Sequence, residues 1–89
     1  MVGVRATPRG DGWECAVSVD HDGQRTQHLV TVSRTELDRW GGGGTVEDLG
    51  SRSFDFLLER EPPSSILRRF DLSLIQRYFP EFDGVMTAG

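Results

Sequence analysis

Two residues, Asp22 and Gly23, constrain this chain more than any others. Asp-Gly between two runs that alternate apolar and polar residues is the strongest short-range hairpin signal, because a type I′ turn needs positive φ at both central positions. A two-residue turn pairs His21 with Gln24 and sets every other partner by counting outwards. Trp13, Cys15, Val17 and Val19 then share one face with Thr26, His28, Val30 and Val32. Glu14, Ser18 and Asp20 share the other face with Arg25, Gln27 and Thr31. On that second face Ala16 and Leu29 are the only apolar pair, and Asp20 opposite Arg25 adds a favourable charge pair. The hairpin governs how the chain folds and says nothing of what it does.

Val2, Val4 and Ala6 alternate ahead of the Gly10-Asp11-Gly12 turn, which predicts a third antiparallel strand and a meander with one apolar face to cover. The period then changes from two to about 3.6 residues. Ser33 with Glu36 reads as a capping box opening a short helix, Thr35 to Trp40, which the Gly41 to Gly44 run ends. Thr45 caps a longer helix reaching Glu61, with Glu47 and Asp48 at its positive end, and Pro62-Pro63 stops it. Beyond the prolines, Ser64 or Ser65 can cap a helix carrying Ile66, Leu67 and Phe70. Asp71 or Ser73, the latter in a second capping box with Gln76, can restart it through Leu74, Ile75, Tyr78 and Phe79. Two short helices and one kinked helix fit equally well. The expectation is a single α+β domain over residues 1–81: a two- or three-stranded antiparallel sheet, covered on one face by the helices. Residues 82–89, small and polar, read as a frayed tail.

At 89 residues the chain has room for one thin core that retains only a few kcal/mol of net stability, so self-association or a partner is a reasonable expectation. The net charge of −4, with acids spread along the chain, is the wrong sign for a binder of nucleic-acid backbone. All basic side chains are Arg, a fact that coding bias explains as well as a preference for bidentate contacts. One cysteine, Cys15, forms no internal disulfide and builds no cysteine-rich zinc site. The sequence shows no signal-peptide pattern, bilayer-length apolar run or lipidation motif, so the cytoplasm is the expected compartment and no membrane is expected as a partner.

The stretch Phe54-Asp55-Phe56-Leu57-Leu58-Glu59-Arg60-Glu61-Pro62 continues through Ser65-Ile66-Leu67-Arg68-Arg69-Phe70-Asp71-Leu72 to Ile75-Gln76-Arg77-Tyr78-Phe79-Pro80-Glu81. It resembles a group of small bacterial proteins of unassigned function in which a strand-rich half precedes this segment. The resemblance covers about two thirds of the chain and implies a self-standing α+β protein. It brings no activity, cofactor or catalytic residue. The Gly41 to Gly44 run and the tail beyond Phe82 lie outside it.

Candidate chemistry is sparse. Cys15 and His28 share the apolar hairpin face within diagonal reach, as a thiolate–imidazole nucleophile would require. Set among valines, they read better as a core thiol and a hydrogen-bonded core imidazole. His21 beside Asp20 and Asp22 suggests a metal cluster, but neighbouring strand residues point to opposite faces, and a solvated turn is the expectation. Four glycines before a helix start resemble an anion cradle. The phosphate-loop Lys is missing, and Glu47 and Asp48 stand where a phosphate would sit, which favours a connector. No metal or cofactor is expected.

The segment from Ser65 to Phe79 can be read as a helix-turn-helix contacting phosphates through Arg68, Arg69 and Arg77. Its charge surplus over Glu59 to Pro80 is one, four Arg against three acids, too weak for non-specific duplex binding. Phe54 and Phe56 cannot share a helix face, so one of them is exposed or meets a different surface. The first reading is therefore a non-enzymatic accessory or protein-interaction domain, self-association being one form of it. Its candidate partner-binding residues are Trp40, Phe56, Arg68, Arg69 and Arg77. A nucleic-acid-binding regulator is the alternative.

Overall fold

The computed structural model describes residues 1–87. The hairpin forms in the expected register: β2 (Gly12–His21) pairs with β3 (Gln24–Val32) from His21↔Gln24 to Trp13↔Val32. Asp22 at φ 52° and Gly23 at φ 78° make the left-handed turn that the dipeptide implied. Arg25 reaches Asp20 at 3.3 Å across the strands. Strand β1 (Val2–Arg9) runs antiparallel along β2, completing the meander.

The sheet then departs from expectation. A fourth strand, β4 (Arg69–Asp71), lies parallel to β3 with Leu29↔Arg69, Val30↔Phe70 and Thr31↔Asp71, so the sheet is mixed, in the order β1-β2-β3-β4. Leu29 N donates to Arg68 O at 2.8 Å and Leu72 N to Thr31 O at 2.9 Å, extending the pairing past both ends of β4. A parallel pair needs a long crossover. Everything between Ser33 and Arg68 supplies it.

That crossover starts with α1 (Arg34–Trp40), whose capping box is complete: Glu36 N donates to Ser33 Oγ at 3.1 Å and Ser33 N to Glu36 Oε1 at 2.8 Å. The glycine run turns through Gly42 at φ 61° and Gly43 at φ 83° into α2 (Val46–Leu58), capped by the Thr45 side chain. After the prolines comes one 3₁₀ turn, Pro63–Ser65, in place of the expected helix, and the chain extends into β4. Helix α3 (Ser73–Tyr78) follows without the second capping box; Ser73 instead gives both its N–H and its hydroxyl to Asp71 Oδ2, at 3.0 and 2.6 Å.

The expected tail is a correction over its described part. Phe82–Thr87 form a helix, α4, in which Phe82 and Met86 are buried. These two residues are one turn apart, on a single face. Residues 88 and 89 of that expected tail lie outside the described residues.

Helix α2 is buried on two sides. Leu49 and Phe54 face the sheet valines, with the Phe54 ring 5.2 Å from His28 and 6.2 Å from Phe70. Phe56 meets Phe79 at 5.9 Å and Phe82 at 5.1 Å, both edge to face. The two phenylalanines thus meet different surfaces, because α3 and α4 supply a second layer behind α2.

Candidate functional site

Two expected anchors turn out to be internal. Trp40 is 3% exposed and Phe56 4%, so neither presents its ring at the surface of the folded chain. The Trp40 indole packs edge to face on Phe82 at 5.1 Å, and its N–H donates to Asp83 Oδ1 at 2.8 Å. A buried indole needs such an acceptor, and the chain beyond Glu81 supplies it. Hydrogen bonds from Trp40 and then Arg39 hold the Asp83 carboxyl below the usual range. Phe56 is covered by the Arg60 guanidinium, 3.6 Å from its ring centroid, which also bonds Phe56 O at 2.9 Å and Glu81 at 3.2 Å.

The three arginines are exposed, and none enters an ion pair among the described residues. Arg69 is in β4 opposite Leu29, on the open face of the sheet away from α2, in a row with Arg5 and Ala16. Arg68 precedes the strand and Arg77 lies in the last turn of α3. A recognition helix is absent between residues 61 and 72, where the chain is a 3₁₀ turn and a strand. The helix-turn-helix premise does not hold.

Cys15 is fully buried, and burial, followed by the nearby charge of Glu47, pushes its thiol up to about 11. A thiol so held is a poor nucleophile. His28 stands opposite Val17 and both its ring nitrogens are engaged, Nε2 with Thr26 Oγ1 at 2.8 Å and Nδ1 with Leu67 O at 2.7 Å. A carbonyl only accepts, so Nδ1 carries the hydrogen in this contact. The imidazole therefore ties β3 to the backbone of Leu67. His21 meets only Asp22 at 3.4 Å, and no group of three metal-ligating side chains occurs among the described residues. At the glycine run, the Asp48 carboxylate stands 3.3 Å from where a Gly44 Cβ would lie, keeping negative charge beside the loop.

The feature sequence reasoning missed lies just beyond His28. Leu57 at the end of α2, Ile66 and Leu67 after the 3₁₀ turn, and Phe70 in β4 bound a groove of about 190 Å³. Leu74, Ile75 and Tyr78 of α3 close its other side. Leu67 is 51% exposed and Tyr78 67%, so two large apolar groups stand in water at its edges. Glu61 is the single charged residue of the lining; burial raises its carboxyl, and it enters no ion pair among the described residues. The walls are positioned from three directions: His28 holds the Leu67 backbone, β4 pairing seats Phe70, and Asp71 fastens the start of α3.

No family model, curated protein or solved structure matches this chain. Its chemistry has to be read from this geometry. A half-enclosed apolar groove with one carboxylate can receive a hydrocarbon side chain and an N–H donor beside it.

Proposed function

We propose that the chain is a non-enzymatic protein-interaction domain that receives an apolar side chain of a partner protein in the groove between α2, β4 and α3. The observation that carries this reading is the exposure of Leu67 and Tyr78 at the edges of an apolar depression. Filling it removes both from water, worth roughly 1.5–3 kcal/mol for each large side chain fully covered. Glu61 gives the contact direction, since a partner N–H or ammonium group near the inserted side chain satisfies the carboxylate. The buried thiol of Cys15 and the doubly bonded ring of His28 favour binding over catalysis. The lack of a helix carrying Arg68 and Arg69 weighs against the nucleic-acid alternative.

The test uses the wild-type chain and Leu67→Asp as baits in the same lysate of the source organism, with thermal melts to verify folding. A protein retained in stoichiometric amount by wild type and lost by the folded variant supports the reading. Equal retention by both, or salt-released nucleic acid as the main ligand, overturns it.

A further inference from the structure

Strand β1 is an edge, and hydrogen bonds at its start set the phase of its ladder. Met1 N donates to Asp20 O, and Asp20 N donates to Met1 O at 2.9 Å, which makes Met1 and Asp20 a hydrogen-bonded pair. Such pairs alternate along an antiparallel ladder. The register therefore assigns bonds to β2 to Gly3, Arg5 and Thr7, opposite Ser18, Ala16 and Glu14. The backbone N–H and C=O groups of Val2, Val4 and Ala6 point away from the sheet, and no described residue bonds them. Pro8 is next in that outward series and has no N–H, so the free ladder ends there.

At the start of this strand, between the sheet and α2, lies a cleft. Gly50 lets α2 sit close on the strand; a Cβ there would lie 3.2 Å from Val4 Cγ1. Met1, Val2 and His21 on the sheet, Asp55 and Leu58 on α2 and Glu59 at its C-cap bound a hollow of about 420 Å³. Asp55 and Glu59 are one helical turn apart and share a face. Asp55 enters no ion pair among the described residues, and Glu59 meets only the neighbouring Arg60 at 3.4 Å. An unsatisfied main-chain ladder thus starts beside a hollow of mixed polarity rimmed by two carboxylates.

We infer that the β1 edge and this cleft bind an extended, basic segment of a partner protein, which adds as a fifth strand along Val2, Val4 and Ala6 and sets a lysine or arginine between Asp55 and Glu59. Main-chain bonds supply affinity in this mode, and side-chain pockets supply selectivity. Alternate residues of the added strand face α2, so the segment is apolar or basic at every second position. A second copy of this chain fits less well. Pairing β1 antiparallel with its own image about Val4 sets each Asp55/Glu59 pair at the Ala6 end of the other copy, where Arg5 and Arg9 project from the opposite face of the sheet and leave the carboxylates unmatched. The site is separate from the groove of Leu67 and Tyr78.

The test is selection of random peptides of about eight residues, the reach of an ordinary strand, on the folded wild-type chain. Selected peptides are expected to carry a lysine or arginine within an alternating pattern, and a synthesised one to shift the amide resonances of Val2, Val4 and Ala6. Ala6→Pro removes only an outward N–H, and Asp55→Asn with Glu59→Gln removes the charges while leaving the edge intact. Each is expected to weaken binding about tenfold or more, with Leu67→Asp unchanged. Acidic or patternless winners, or affinity indifferent to the Asp55/Glu59 double variant, would overturn the inference. So would concentration-dependent self-association abolished by Ala6→Pro, which assigns the edge to a second copy.

Discussion

Replacing Glu36 by glutamine should remove a pH dependence that the fold builds into one carboxyl. In the folded chain Glu36 is half-buried at the start of α1, accepts the Ser33 N–H at 2.8 Å, and lies beside Asp71. Burial first, and then the hydrogen bond to Asp71, push it from 4.5 up to about 7. Burial also acts to raise Asp71, but hydrogen bonds from Glu36, Ser73 and Thr31 outweigh it and hold Asp71 below 3.8. The folded state therefore keeps a proton on Glu36 that the unfolded chain releases. Stability from this group is full below pH 4.5 and is lost as pH rises through about 7. Full linkage over that span is about 3 kcal/mol, and screening at a half-exposed site reduces it to about 1–2 kcal/mol. Glu36→Gln keeps an N–H for Asp71 and a carbonyl for Ser33 without titrating. Urea unfolding at pH 5 and pH 8 should show wild type losing about 1–2 kcal/mol more than the variant. The variant should be the more stable of the two at pH 8. Parallel losses in the two proteins would refute the raised Glu36 carboxyl.

Phe82→Ala leaves a cavity against Trp40 and Phe56 and is expected to cost about 3–5 kcal/mol, enough to unfold most of the domain at room temperature by circular dichroism. A melt shifted by only a degree or two would mean that α4 is not part of the core. Cys15, with its thiol held near 11 by burial, should resist a thiol reagent at pH 8 until denaturant is added. Rapid labelling of the folded chain would contradict its placement.

The meander and the first two helices were legible because local chemistry sets them. Asp22-Gly23 and a period of two fix the hairpin register, and Ser33 with Glu36 marks α1 by its cap. β4 was not legible. Three residues are too few to show a period, and their strand character comes from pairing with Leu29 and Thr31, some forty positions earlier in the chain. Once Arg69–Asp71 are a strand, Arg68 and Arg69 no longer belong to one helical surface. Leu67, counted in a helical core stripe, is left half in water. Helix α4 escaped notice because Phe82 and Met86 are its only large buried groups and the residues around them are small or polar. Trp40 read as an interface anchor for the same reason, since the acceptor for its indole, Asp83, lay in the segment taken for a tail. The groove depends on all of these at once, through a strand and a His28 contact that no sequence window contains.

Photo-cross-linking from the groove edge reads out what the groove receives. p-Benzoylphenylalanine is placed in living cells at position 78, and as a control at position 85, where Val85 on α4 is 50% exposed and outside the groove lining. One discrete protein adduct is expected from position 78, lost when Leu67→Asp is added, and none from position 85. No adduct from position 78, or the same adducts from both positions, would contradict the proposed contact.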